Sequence, residues 1–239
     1  MAGTPSSDNS RAAGTSWIAS SKETELSVSR FSSIALLLAI AGTGCRPPKV
    51  AALPGEIAPV RQLPIGELPT GYRKVVFDWE LKDGEMTARG EGVARIASPD
   101  SVRLDFFLGG GLGSGVAILI GDSLQVPGPD LVRKLIPPRP LLWAALGRLQ
   151  LPADRDTTMR VEGAVLRADI GSPTRWRVTF HGDTLSRLER VGDGRLLEWV
   201  DRSADRRVQY RSEESRRSLS LVIQRSDAVQ AFNPAIWHL

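Results

Sequence analysis

From Gly71 to Arg225 the chain alternates apolar and polar residues in short runs cut by Gly, Asp and Pro, the pattern of antiparallel strands joined by tight turns. RKVVFDWEL, Arg73–Leu81, stops at Lys82, Asp83 and Gly84, where Asp-Gly signals a hairpin. EMTARGEGVARIAS then runs to a second turn at Pro99 and Asp100. In the following SVRLDFFL, Val102, Leu104, Phe106 and Leu108 share one face while Arg103 and Asp105 point the other way. Gly115–Leu124 is a further strand, unusually apolar at Val116, Ile118, Leu119 and Ile120. The pattern resumes at Met159. TRWRVTFH sets Trp176, Val178 and Phe180 on one face, and TLSRLERVG, RLLEWVDR, RVQYRS and RRSLSLVIQR follow, the last with Leu219, Leu221 and Ile223 aligned. FNPAIW, Phe232–Trp237, reads as a short terminal segment packed by its aromatics.

The middle of the chain has a different period. PGPDLVRKLI, Pro127–Ile136, and RPLLWAALGRL, Arg139–Leu149, have helical spacing with proline at or near each start, and Pro137 and Pro138 break the chain between them. The second segment is apolar nearly all round, so it is expected to be buried or to plug a cavity. About ten strands with two short helices imply a mainly β fold, an open antiparallel barrel whose helices form a lid or plug.

Upstream lies one apolar run, FSSIALLLAIAGTG, Phe31–Gly44, too short for a bilayer crossing of about 20 residues and suited to the core of a signal peptide. Arg30 precedes it, the small residues Gly42, Thr43 and Gly44 close it, and Cys45 follows. That order resembles the lipobox of bacterial lipoproteins, which makes residues 1–44 a leader and Cys45 the site of lipidation. Residues 1–27 are polar and Ser-rich, unlike a leader, and translation from near Val28 would supply the basic start Val28, Ser29, Arg30. The alternative is a buried apolar helix followed by a free core cysteine. Residues 45–70, with Pro47, Pro48, Pro54, Pro59, Pro64 and Pro69, cannot form a long helix and read as an extended tether. A single domain over 71–239 remains.

Composition sharpens this only a little. The 239 residues are 41% hydrophobic and 24% charged, ordinary for a globular chain. With one cysteine there is no internal disulfide, so stability must come from the core. The net charge of +4 is spread among acidic residues, as in Arg187, Glu189, Arg190 and Asp193, a solvated surface rather than a nucleic-acid footprint. With two histidines and no HExxH or CxxC, no histidine-rich metal site and no cofactor are expected. Ser114 lacks the GxSxG setting, and His181 reads as a turn residue. Nothing in the sequence brings Asp78, Asp122 and Asp169 together as catalytic carboxylates, and the chain is not expected to be an enzyme.

Three segments carry a family resemblance spanning about Tyr72 to Asp201. LGGGLGSGVAILI, Leu108–Ile120, is similar to a strand, Leu-Gly-Ser loop and strand, PPRPLLWAALGRLQLP, Pro137–Pro152, to a helical lid with Trp143 at its tryptophan, and TRWRVTF to a later hairpin beginning at Trp176. Together they resemble the LolB-like outer-membrane lipoproteins of the LolA/LolB carrier superfamily. Two features depart from that pattern: the proline-rich run leaves little room for a helix before the first strand, and the Arg-rich segment after Asp201 is longer. The resemblance implies a monomer, lipid-anchored in the outer membrane and facing the periplasm, that takes lipoprotein or phospholipid acyl chains, with a LolA-like carrier as a possible partner. It implies a cavity lined by Leu104, Phe106, Ile118, Ile120, Leu142, Trp143, Leu146, Trp176, Val178, Phe180 and Trp199, and a membrane-delivery role for Leu112. Each cavity residue has a plainer reading as core filling, and Leu112 as a loop residue folded back on the core. The alternative function is a structural or regulatory envelope module that binds a protein partner through the same fold.

Overall fold

The computed structural model describes residues 47–59, 62–111, 113–151 and 156–238, so the expected leader, Cys45 and Leu112 lie outside the described residues. Strands β1 (Glu56–Ile57), β2 (Gly71–Asp83), β3 (Met86–Ser98), β4 (Ser101–Leu108), β5 (Ser114–Ile120) and β6 (Ser123–Gln125) lead into helices α1 (Asp130–Lys134) and α2 (Arg139–Ala145). Strands β7 (Thr157–Glu162), β8 (Val165–Ile170), β9 (Trp176–His181), β10 (Thr184–Gly192), β11 (Arg195–Arg202), β12 (Arg207–Ser212) and β13 (Arg217–Ala228) complete the sheet. Among the described residues it has 13 strands, all paired antiparallel, in the order β1-β7-β8-β9-β10-β11-β12-β13-β2-β3-β4-β5-β6. The sheet does not close: β1 and β6 are its edges. The excess over ten strands comes mainly from short pieces at these edges, β1 and β6, which are too brief to show a period.

Curvature has identifiable sources. Val75, Phe77, Trp79 and Leu81 of β2 line the concave face, and Gly90 and Gly92 of β3 sit under the rings. A Cβ on Gly92 would lie 2.4 Å from the Phe77 ring, and one on Gly90 would lie 2.9 Å from Trp79. Irregular registers at Leu185/Arg187 and Arg190/Val191 in β10, and at Ile223/Arg225 in β13, bend the sheet further.

The helices are shorter than the sequence pattern suggests. Gly147, with φ of 93°, ends the turn after α2, and Leu149 instead donates its backbone N–H to the Ile65 carbonyl at 2.6 Å. Buried on all sides, Leu141, Leu142, Trp143, Ala144 and Ala145 make α2 the plug of the concave face, where it packs against β10, β11 and β12.

The proline-rich segment is extended but lies against the domain rather than spacing it from a surface. Leu196 N–H donates to the Pro48 carbonyl and Val50 N–H to that of Gly194, β1 pairs with β7, and Leu68 N–H donates to the Gly147 carbonyl. Proline lacks an N–H but keeps its carbonyl, so such a segment can cap an edge as an acceptor.

A buried polar knot holds β10–β13. Tyr210 Oη donates to Glu198 at 2.7 Å, Arg190 Nε donates to the same carboxylate at 2.6 Å, and Arg217 donates to Tyr210 Oη at 3.2 Å. Burial pushes the Tyr210 phenol up to about 12, opposed by Arg217 and reinforced by Glu198. Because the folded value lies above the unfolded one, this group's contribution to stability is complete below about pH 10 and is lost as pH rises towards 12. The Tyr72→Phe variant leaves Tyr210 as the only tyrosine. Its ultraviolet tyrosinate signal is expected to be absent near pH 10 and to emerge only as pH approaches about 12 or the protein unfolds.

Candidate functional site

Where the sheet curves around the lid, an apolar cavity of about 40 Å³ remains. Val75 and Phe77 of β2, Leu104 and Phe106 of β4, Val208 and Tyr210 of β12, and Leu219, Leu221 and Ile223 of β13 form its walls. Leu135, Pro137, Leu142, Ala145 and Leu146 close it from the helical side. Its surface is almost wholly carbon. A cavity this size has room for little more than one or two water molecules, so the closed lid fills most of the concavity.

Four contacts secure that lid. Lys134 pairs with Asp83 at 2.6 Å in the β2–β3 hairpin, and Arg139 pairs with Asp122 at the β5–β6 turn. The tether holds the C-terminal end of α2 through the Leu68 and Leu149 backbone bonds, and its Glu67 fastens it to the sheet, pairing with Arg202 of β11 and accepting from the Leu185 N–H of β10. Gly115 explains one glycine of the GGGLGSG run: a Cβ there would meet Val132 of α1 at 2.1 Å, so its absence lets the first helix seat directly on β5.

The expected lining residues divide into three groups. Leu104, Phe106, Leu142 and Leu146 line the cavity. Trp143, Val178 and Phe180 are fully buried on the concave side, and Trp176 packs against the same core, but all four lie where α2 fills the barrel rather than at the cavity. Ile118, Ile120 and Trp199 must be corrected to the convex face. Ile118 pairs with Arg103, whose guanidinium donates to the Ile236 carbonyl at 2.7 Å, so the C-terminal segment lies against this side, while Ile120 is 42% exposed. Trp199 lies under the Arg187 guanidinium, 4.5 Å from the ring centroid, and its Nε1 donates to Glu213 at 3.0 Å.

Sequence reasoning missed the contributions of β2, β12, β13 and the α1–α2 corner. Alternation did align Leu219, Leu221 and Ile223, but it could not show that β13 lies beside β2 and so faces the lid. The three carboxylates considered as catalytic are held apart by separate partners: Asp78 accepts from Gln224, Asp122 pairs with Arg139 and Asp169 with Arg177. Among the described residues no group of three or more His, Cys, Asp or Glu side chains could hold a metal ion. No described helix is long and apolar enough to cross a membrane.

No family model matches the sequence, and no curated protein matches it. The structure does match solved ones. The LolA superfamily protein NE2245 from Nitrosomonas europaea is similar with a TM-score of 0.50 at 10% identity, covering 72% of this chain and 92% of that one. The fold is LolA-like. An outer membrane lipoprotein-sorting protein domain from Vibrio parahaemolyticus is similar with a TM-score of 0.49 at 10% identity, over 72% of this chain and 91% of that one.

Trp143 is the largest fully buried side chain of the lid. Trp143→Ala is expected to destabilise the domain by about 3–5 kcal/mol, read as a lower urea midpoint.

Proposed function

We propose that this chain is a lipid-anchored outer-membrane protein that binds lipoprotein or lipid acyl chains between its concave sheet and helical lid, for reception and insertion of lipoproteins. The observation that carries this reading is the carbon-lined cavity under a lid tied down by a few polar contacts. Burying one methylene is worth about 0.8 kcal/mol, so a hydrocarbon chain needs no specific polar group to bind there. The LolA-like fold supports the same reading. No catalytic residue is required. Lipidation of Cys45 supplies the anchor, and Leu112, in the glycine loop after β4, makes the membrane contact during delivery. Phe107, 49% exposed at the end of β4, stands at the base of that loop.

The small cavity supports a second reading, a regulatory or structural module whose barrel stays filled and whose surface binds a protein partner. Lipid content separates the two. Protein purified in mild detergent is expected to carry phospholipid or lipoprotein, detected by mass spectrometry. Ala145→Leu, which fills the cavity from the lid side, is expected to fold normally and lose acyl-chain binding several-fold. Persistent absence of lipid, with unchanged lipoprotein sorting after gene deletion, would sink the carrier reading in favour of the filled module. Leu112→Glu is expected to keep the fold and block delivery to vesicles; undiminished delivery would reject the role of that residue.

A further inference from the structure

The concave face is not apolar to its rim. Moving along β2 towards its start, the inward positions run Leu81, Trp79, Phe77, Val75 and then Arg73. On β11 the inward Val200 is followed by Arg202, and on β13 Ser226 faces the same side opposite Val75. These groups meet in a depression of about 170 Å³ that contains Arg73, Arg202, Ser226 and Glu67, and it shares Val75, Ala145, Leu146 and Ile223 with the apolar cavity. The two spaces therefore adjoin across these four residues, the inner one carbon-lined and the outer one basic.

The mouth's hydrogen bonding is incomplete. Arg202 Nη1 is shared between Glu67 and the Leu185 carbonyl, and Arg73 Nη1 donates to Ser226 Oγ at 3.1 Å. The Nε–H of both arginines is buried and has no partner among the described residues. A buried donor left unmade costs about 1–3 kcal/mol, more when charged, so each guanidinium beside this depression is one hydrogen bond short and an anion that drew the side chain outward would relieve it. Two guanidiniums face one carboxylate there, and that carboxylate belongs to the tether rather than to the barrel wall.

We propose that this mouth is a headgroup site for an anionic phospholipid, whose phosphate takes Arg73 and Arg202 in place of Glu67 while its acyl chains enter the cavity. The site rests on the acyl-cavity reading and narrows it. A neutral diacylglyceryl group, which has no oxyanion, gains nothing from the two arginines. Guanidinium recognises phosphate by paired N–H donors, and Glu67, already resting on Arg202 and next in the chain to Leu68, which bonds to the lid turn, is the internal anion to be displaced. Entry of the ligand and release of the lid are then one event.

The test compares two matched pairs by displacement of a fluorescent acyl probe from the full domain: phosphatidylglycerol against diacylglycerol with the same chains, and oleate against methyl oleate. Phosphatidylglycerol is expected to be preferred over diacylglycerol by about tenfold or more, the effect of one or two charge-assisted hydrogen bonds. Arg202→Gln and Arg73→Gln should collapse that preference, whereas Glu67→Gln should raise it, a gain that misfolding cannot mimic. If only the oleate pair shows an arginine-dependent preference, the anion is a carboxylate and the phospholipid assignment is overturned. An equal preference in wild type and all three variants overturns the headgroup site and leaves the acyl cavity standing. Failure of every compound to displace the probe overturns both.

Discussion

An antiparallel sheet that curls without closing has a concave apolar face and no second sheet to bury it, and helix α2 is the element that resolves this. Seven residues long, it cannot be stable by itself, since isolated helices of that length do not form in water. Its stability comes from the sheet, through Leu141, Leu142, Trp143, Ala144 and Ala145, all buried. The dependence runs both ways. Without α2 the face formed by Val178, Phe180, Leu188 and Val200 would be open to water. The ion pairs at Asp83 and Asp122 are partly exposed and contribute little energy of their own, but they fix where the helices sit relative to the hairpin turns.

How far the sequence foretold this varies with the local pattern. The strands of β2 and β4 were legible because one face is core and the other solvent, so period-two alternation appears without interference. In β11 the same logic failed. Glu198 is buried because Tyr210 and Arg190 satisfy it, and Trp199 is turned outward because Arg187 and Glu213 engage it, so hydrophobicity named the wrong face. β5 failed for another reason: VAILI is apolar on both faces, and the C-terminal segment, bonded through Ile236 to Arg103, accounts for a burial that alternation alone would assign to the core. Less of the cavity wall was legible, four of its fourteen residues. Leu104, Phe106, Leu142 and Leu146 followed from pattern and family resemblance, while Val75, Phe77 and the β12–β13 wall depend on β13 returning to pair with β2 across more than half the chain.

The proline-rich segment changes meaning once its contacts are known. A free spacer would make position and function independent of one another. Here the same residues cap the β7 edge, bond to the β10–β11 turn, and finish on the C-terminal end of α2. Displacement of residues 65–68 would therefore remove two backbone hydrogen bonds from the lid and the Glu67 contact from the sheet in one step. The chain that leads towards the expected anchor is thus mechanically joined to the element that closes the cavity.

The near-filled cavity is compatible with ligand exchange on energetic grounds. Lifting α2 enough to expose Leu141, Leu142, Trp143 and Leu146 costs about 6–12 kcal/mol of apolar burial, at roughly 1.5–3 kcal/mol for each side chain. An acyl chain that buries about a dozen methylenes in their place returns about 10 kcal/mol. The two quantities balance to within a few kcal/mol, so the sheet can exchange its own helix for a ligand without either state being a deep trap. A large permanent cavity would hold lipid more tightly but would leave the empty protein with an unburied face. A lid that fills the space, tied down by contacts that open together, keeps the empty state folded and the loaded state reversible.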